Sequence, residues 1–260
     1  MNIKIIVFIL TILLSLNAHS LSVPKNNEVE YDIIRKNKII GSHKISFTNN
    51  DEGLIVETNI NIQVKVLLIT AYKFSHSSRE LWVDGNFVKI NAHTDFEDER
   101  EYFIKGTDSE EYFIASGMDG ELKLSKNIIT LNYWNKKILE EKEIFDTQKG
   151  ITRKITVKKL ENEIITINNN KIETEKYTLD ATKNPKDKGP FPQYTLWYKD
   201  DELIKFEFIS TKDNKKILTI RNDISQTLLE TNPLLDYDEI PDDDHVKEIL
   251  NHYEGLSSKK

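Results

Sequence analysis

The chain has 260 residues, of which 36 are Lys or Arg and 43 are Asp or Glu, so its formal net charge is -7 at pH 7. A mildly acidic surface of mixed charge argues against nucleic acids and anionic membrane surfaces as partners. Because the chain contains no cysteine, disulfide frameworks, thiolate metal sites, cysteine nucleophiles and a lipid-modified cysteine anchor are excluded.

The amino terminus has the pattern of a secretory signal peptide. Lys4 supplies a positive charge, Ile5 to Leu16 form an apolar run, and Ala18 and Ser20 fit the −3 and −1 positions of a cleavage site. The apolar run is shorter than the roughly 20 residues that span a bilayer. We therefore expect residues 1–20 to be a signal peptide, cleaved after Ser20, on a protein of the periplasm or the exterior. A retained amino-terminal anchor is the alternative.

Alternation of apolar and polar residues, the pattern of half-buried β-strands, recurs along residues 21–223. The clearest example is a strand from Val56 to Val66. Its predicted buried residues are Val56, Ile60, Ile62 and Val64, and its predicted exposed residues are Glu57, Asn61 and Lys65. Short turns such as Lys36-Asn37 and Asp84-Gly85 indicate that neighbouring strands pair. Since an open sheet would leave two long edges, we expect a mainly β domain, a single antiparallel meander curled into a barrel or half-barrel.

Two segments depart from this pattern. Residues 134–144 are predicted to form a short helix that begins at a cap on Asn135. The sequence Tyr133-Trp134-Asn135 at its start can stack on a sugar ring or plug one end of the barrel, and plugging is favoured. Residues 184–192 contain three prolines, which donate no ladder hydrogen bonds, so we expect an extended surface loop there.

The alternation stops near the carboxy terminus, and residues 224–260 are predicted to be an acidic tail with a short helix. That helix would carry one apolar stripe, made of Val246, Ile249, Leu250 and Tyr253. It can dock on the barrel mouth or on a partner, or it can remain a loosely held tail. The predicted organisation is therefore a signal peptide, one β domain over residues 21–223 and this tail.

Several segments in a fixed order resemble a known family. They are Ile40-Gly41-Ser42-His43, Tyr72 to Trp82, Tyr133-Trp134-Asn135, Asp146-Thr147-Gln148-Lys149-Gly150 and Leu196-Trp197-Tyr198. Together they resemble an uncharacterised group of bacterial secreted proteins, classed as domain of unknown function number 6134, from about Val29 to about Asp223. The resemblance implies an exported β-rich protein and carries over no activity or ligand. The tail after Asp223 lies beyond it.

The most unusual chemistry lies where polar residues share a predicted strand face with apolar ones. One such face holds Ile39, His43, Ile45 and Phe47. Another holds Tyr72, Phe74, His76, Glu80 and Trp82. If both faces point inward, His43, His76 and Glu80 are buried and each needs a partner that offsets its desolvation. We expect these three side chains to converge as a polar island, with Tyr72 and Trp82 beside them.

Three interpretations of the island stay open at this point. It can be a structural network that fixes strand register, or a set of groups that orients a mostly apolar ligand. It can also be a site for a divalent metal, although the sequence contains no helical metal-binding motif. Burial would lower the pKa of an imidazole and raise that of a carboxyl group, whereas pairing between them would do the reverse.

No sequence motif of nucleophilic, phosphate-binding or metalloprotease chemistry is present, so we assign no catalytic residue, no metal and no cofactor. The favoured function is a non-enzymatic envelope protein that binds an apolar or amphiphilic ligand, such as a lipid or acyl chain, inside the curled sheet. The alternatives are a structural or assembly factor of the envelope with a filled core and, third, a hydrolase acting on glycans or lipids.

Overall fold

A computed structural model describes residues 21–66, 69–96, 100–167, 170–187, 191–210 and 214–222. Fifteen antiparallel strands make up the sheet. They are β1 Glu28–Arg35, β2 Lys38–Asn50, β3 Gly53–Val66, β4 Ile69–Val83, β5 Asn86–Asp95, β6 Glu101–Asp108, β7 Phe113–Gly117, β8 Gly120–Leu124, β9 Glu143–Asp146, β10 Ile151–Lys159, β11 Glu163–Ile167, β12 Asn170–Ala181, β13 Tyr194–Lys199, β14 Glu202–Ile209 and β15 Lys216–Arg221. The predicted mainly β antiparallel fold is confirmed.

The sheet consists of two meanders joined side by side. In the first arm, β1 to β8, every strand pairs with the next. In the second arm, β9 to β15, consecutive strands also pair, with one exception. There β10 pairs with β12, and β11 pairs with β12 alone. The arms are joined where β1 pairs with β15, with Tyr31 opposite Arg221. The two ends of the described chain therefore meet in the middle of the sheet.

Tight turns set the registers within each arm. At Lys36-Asn37, Asp84-Gly85 and Asp200-Asp201 both central residues have positive φ, between 48° and 76°. Turns of this backbone twist match the twist of the flanking strands and join them through only two residues. The first two of these turns are those that the sequence predicted.

The sheet is not closed into a complete barrel, because the described strands β8 and β9 do not pair with each other. Their neighbouring turns nevertheless touch: Met118 N–H donates to the Lys149 carbonyl at 2.7 Å. A Cβ atom added to Gly117 would lie 2.4 Å from the Cα of Gly150, so only glycine permits this approach. The curled sheet is thus a barrel-like shell with one unpaired seam.

Residues 125–142, here called the plug segment, fill that seam from within. The Phe145 N–H of β9 donates to the Ile129 carbonyl at 2.8 Å, and Leu131 N–H donates back to Phe145 at 2.7 Å. Trp134 packs against Phe47 and Trp82, with ring centroids 5.1 and 5.9 Å apart. The predicted plugging role of Tyr133-Trp134-Asn135 fits this position, since all three side chains are buried.

The predicted helix over residues 134–144 is wrong in type and length. The segment contains a 3-10 helix, Lys136–Glu140, capped as predicted by Asn135, whose side chain accepts from Lys137 N–H. Ile144, predicted as an apolar member of the helix, lies in β9 instead. The apolar spacing of Ile138 and Ile144 arises because both side chains enter the core, Ile138 from the plug and Ile144 from a strand.

The burial predicted for β3 is correct at only two of the predicted positions. Val56 is buried and Asn61 is exposed, but Ile60, Ile62 and Val64 are only half-buried, as is Glu57. Lys65 belongs to a stretch whose side chains are not described. Ile39 in β2, predicted inward, is 48% exposed because a bulge between Ile33 and Ile34 shifts the pairing of β1 with β2 by one residue.

The interior of the curled sheet is filled with side chains. Residues with no more than 1% exposure include Tyr31, Ile45, Val56, Trp82, Phe87, Ile90, Ile104, Phe113, Ile138, Ile144, Phe145, Leu179, Leu196 and Tyr198. A second, smaller cluster lies apart from this core and holds Ile34, Ile165, Trp197, Ile204 and Ile220. No described helix is long and apolar enough to cross a membrane. The predicted acidic tail and its helix lie outside the described residues.

Candidate functional site

The structure places four of the five predicted site residues inside the sheet. His43, His76, Glu80 and Trp82 are buried, and Tyr72 is half-buried toward the end of β4. The predicted inward faces of β2 and β4 are therefore correct at these positions. The side chains do not form one island, however, because they divide into a histidine group and a Glu80 group.

The histidine group lies in one row across the inner face of the sheet. His43 of β2 is opposite Ile60 of β3, which is opposite His76 of β4, which is opposite Thr94 of β5. His76 Nδ1 lies 2.8 Å from Thr94 Oγ1, so its polar partner is a hydroxyl and not Glu80. The His43 ring packs near Tyr31 and Phe206, with centroids 5.6 and 6.5 Å away.

Glu80 instead fastens the plug segment to the sheet. Its Oε2 accepts from Trp82 Nε1 at 2.9 Å and from Thr130 Oγ1 at 3.4 Å. Asn132, two residues further along the plug segment, is a third hydrogen-bond partner of the carboxyl group. Neither Thr130 nor Asn132 stands out in the sequence, since both lie in a loop without periodicity. Trp82 therefore serves here as a support for Glu80.

Among the buried polar atoms without a hydrogen-bond partner in the described part of the chain, three lie on the adjacent strands β2, β3 and β4 of the inner face. They are His43 Nε2, Thr58 Oγ1 and Ser78 Oγ. Thr58 and Ser78 are direct cross-strand neighbours, a position in which hydroxyls often bond each other, yet neither does so. Such atoms are rare in native proteins and each calls for an explanation. The alternation pattern could have identified both residues, because each is a polar residue at an inward position.

Small side chains at this place make a low floor in the wall of the sheet. Ala92 of β5 lies opposite Ser78, which continues the row Thr58, Ser78, Ala92 across three strands. On one side this row is flanked by His43, Ile60 and His76. On its other side lie Val56, Glu80 and Ile90. The wall of the sheet is therefore lower along this row than along the rows on either side.

We infer that a narrow cleft between the sheet and the plug segment leads to this row of small residues. Inward side chains around it keep slight exposure, 8% for His43, 6% for Thr58 and Ser78, and 9% for Tyr133 of the plug. Phe206, which packs against both His43 and Tyr133 at centroid distances of 6.5 and 5.1 Å, bounds the cleft from the second arm. We call this space the mouth cleft.

Half-buried apolar side chains line the outer part of the mouth cleft. In the first arm they include Ile60, Ile62, Val64 and Tyr72. Tyr194 and Phe208 stand on the second arm, with ring centroids 5.0 Å apart. Burial raises the pKa of Tyr194 to about 12, with smaller contributions in the same direction from Asp146 and Tyr72. The cleft thus combines an apolar entrance with a polar floor.

The electrostatics of the inner face are dominated by burial and not by pairing. Burial lowers the pKa of His43 to about 4 and, with a smaller contribution from His43, lowers that of His76 to about 3. Burial also raises the pKa of Glu80 to about 7, against the opposing effect of its hydrogen bonds. At neutral pH both imidazoles are therefore uncharged. Among the described residues, no three His, Asp or Glu side chains are grouped to hold a metal ion.

A second polar cluster, not foreseen from the sequence, lies beside the seam. Arg153 of β10 is 1% exposed, and its Nε donates to Asp146 at 2.8 Å while its two terminal nitrogens donate to Asp187 at 2.8 and 3.2 Å. Lys149 is a further partner of Asp187. We call these four residues the seam network. Its charges balance and its donors are engaged, so it suits a structural role.

A solved structure supports the barrel-like description. The crystal structure of a beta-barrel-like protein of the domain of unknown function DUF1849, from Brucella abortus, is similar to this chain with a TM-score of 0.52 and 11% sequence identity. The match covers 75% of this chain and 94% of that one. At such low identity the likeness concerns the fold alone. No curated protein matches the chain.

The model of the domain of unknown function DUF6134 matches residues 31–222 of the chain. This range extends from β1 to the end of the described residues and includes the plug segment, the seam network and the residues of the mouth cleft. The resemblance noted in the sequence is confirmed, and the chain belongs to the DUF6134 family.

Proposed function

We propose that the protein is an exported, non-enzymatic binding protein of the bacterial envelope that takes an amphiphilic ligand in the mouth cleft. The observation that carries this proposal is the set of three buried polar atoms without protein partners, on His43, Thr58 and Ser78. An unpaired buried hydroxyl costs about 1–3 kcal/mol. A ligand group that bonds these atoms would recover that cost.

The apolar wall of the cleft supports the same proposal. Ile60, Ile62 and Val64 lie on the inward face of β3 but remain half-buried, unlike Val56 further along the strand. Inward apolar side chains that stay partly exposed gain free energy when a hydrophobic group covers them, at roughly 25 cal/mol per Å². The apolar part of an amphiphile would provide that cover.

The filled core favours a ligand at the mouth over one deep inside a hollow barrel. The plug segment occupies the interior beyond Glu80, where Trp82, Ile138 and Phe145 are almost fully buried. A small cavity lined by Tyr31, Trp134 and residues near the amino terminus has a volume of about 10 Å³, room for about one water molecule. We therefore expect a ligand that lies along the cleft with one end against the floor.

Native mass spectrometry of the protein purified from its own host tests the proposal. The wild-type protein should carry a lipid-sized mass that dissociates on activation. Ser78→Leu and Ala92→Leu should each remove it, because a larger side chain fills the floor. Ser77→Leu, a change on the exposed face of the same strand, should retain it. Circular dichroism melting checks that the variants fold. A clean apo mass for the wild-type protein would refute the proposal.

Export is part of the proposal, and the packing after the predicted cleavage site supports it. Leu21 and Val23 pack against the main core. A chain cleaved after Ser20 would retain both residues and their contacts with the core. Amino-terminal sequencing of protein from the periplasmic fraction should begin at Leu21. Ala18→Lys, which disrupts the −3 position, should leave the unprocessed chain in the membrane fraction. A soluble protein that begins at Met1 would contradict export by this signal.

A further inference from the structure

We infer that the floor of the mouth cleft selects an uncharged hydrogen-bonding group, such as a hydroxyl, ester or amide, and rejects a carboxylate or phosphate. This inference rests on the proposed function and adds the chemical class of the ligand's polar end. It follows from the kinds of atoms on the floor and from the charges around them.

The unpartnered atoms can both donate and accept. Each hydroxyl of Thr58 and Ser78 offers one donor and two acceptor positions, and His43 Nε2 acts as donor or acceptor according to its tautomer. Because Thr58 and Ser78 are direct cross-strand neighbours, their Cβ atoms lie about 4.5–5.5 Å apart. One small polar group between them can therefore reach both hydroxyls, and a group that accepts and donates satisfies them best.

No cationic side chain among the described residues is buried beside this floor. The fully buried cation is Arg153, and its donors are engaged by Asp146 and Asp187 in the seam network. An anion on the floor would thus lose its hydration without gaining an opposite charge, which is strongly unfavourable.

A neighbouring acid strengthens the discrimination. Glu80 lies two residues beyond Ser78 on the same face of β4, and its carboxyl group is buried. When Glu80 is ionised, it repels a second carboxylate or a phosphate nearby. When it is protonated, it still supplies no positive charge. An uncharged polar end avoids both penalties.

Binding of two ligands that share one acyl chain tests the inference. Isothermal titration calorimetry of the purified protein at pH 8, below the critical micelle concentrations, should show monolauroylglycerol binding at least about tenfold more tightly than laurate, the effect of one well-made hydrogen bond. Equal or tighter binding of laurate would overturn the inference while leaving the proposed function in place. Binding of neither ligand would count against the proposed function itself.

A matched pair of double variants isolates the floor hydroxyls. Thr58→Val with Ser78→Ala should weaken monolauroylglycerol binding by about tenfold and erase the preference over laurate. It should not lower the melting temperature, because removing two hydroxyls that have no partner breaks no hydrogen bond within the protein. Asn59→Ala with Ser77→Ala changes the adjacent cross-strand pair on the exposed face and should leave both affinities intact. An unaltered preference in the floor variant would refute the role of these hydroxyls.

Discussion

Replacing Arg153 by alanine should lower the free energy of unfolding by about 3–5 kcal/mol, the range for a buried ion pair deprived of one partner. The Arg153 side chain is 1% exposed, and those of Asp146 and Asp187 are 4% and 5% exposed. Removing the Arg153 side chain leaves the buried carboxylates of Asp146 and Asp187 with Lys149 as the remaining cation of the seam network. Urea or thermal unfolding followed by circular dichroism measures the loss.

Arg153→Lys should recover little of the stability that Arg153→Ala loses. The guanidinium reaches Asp146 through Nε and grips Asp187 through both terminal nitrogens, and it also donates to the Thr182 carbonyl at 3.0 Å. A lysine ammonium has one nitrogen and cannot hold this fork. Arg153→Lys therefore separates the geometry of the fork from the charge alone.

Lys186, in the same loop as Asp187, provides the control. Lys186 pairs with Asp119 at 2.8 Å, but its side chain is 58% exposed, and exposed pairs contribute about 0–1 kcal/mol. Lys186→Ala should accordingly have a small effect. A loss for Arg153→Ala no larger than that of Lys186→Ala would show that the seam network does not hold the fold together.

The seam network also braces the second-arm side of the unpaired seam. Asp146 and Lys149 belong to the turn that touches Gly117 and Met118 across the seam. Asp187 belongs to the proline-containing loop, which Arg153 ties to the same turn. Burial would raise the pKa of Asp187, but hydrogen bonds from Arg153 and Lys149 outweigh it and hold that pKa well below its usual range. Across the seam itself, Met118 N–H donates to the Lys149 carbonyl, and the side chains of Asn184 and Lys186 bind Asp119.

The strands and their inward faces could be predicted because period two is a local property. Thr58 and Ser78 already stand at inward positions in the sequence, and the turns at Lys36-Asn37 and Asp84-Gly85 carry their own conformational signal. The pairing of β1 with β15 and the contact of Glu80 with Thr130 and Asn132 are long-range. No local pattern specifies them, since they depend on how far the sheet curls.

The polar island was predicted as one group because a local pattern does not specify long-range distances. Period two correctly placed His43, His76 and Glu80 on inward faces, but it does not specify how far apart they lie along the strands. Glu80 is four residues from His76 on β4, roughly 13 Å at the usual rise per residue, so its partners are Trp82 and residues of the plug segment instead. The β9 strand was mistaken for part of a helix because Ile138 and Ile144 both reach the core from different elements.

The titratable groups of the inner face make stability depend on pH in two opposite ways. The pKa values of His43 and His76 are lowered on folding, so their contribution to stability is present above about pH 6.5 and is lost as the pH falls toward 4 and 3. The pKa of Glu80 is raised on folding, so its contribution is fully present below 4.5 and is lost as the pH rises through about 7. A variant that removes one of these titratable groups isolates the contribution of that group to the pH dependence of stability.

Glu80→Gln should therefore gain stability relative to the wild type as the pH rises. A pKa raised from 4.5 to about 7 corresponds to about 3 kcal/mol, so the difference in unfolding free energy between variant and wild type should move by about that amount between pH 4.5 and 8. Glutamine keeps one oxygen, which can accept from both Trp82 and Thr130 as Oε2 of Glu80 does, and it stays neutral throughout. Urea titrations at several pH values measure this difference. Glu57→Gln, at a half-buried position facing away from the core on β3, should show less than about 1 kcal/mol of such movement. A constant difference between Glu80→Gln and the wild type would mean that Glu80 stays ionised in the folded protein, compensated by partners stronger than Trp82, Thr130 and Asn132.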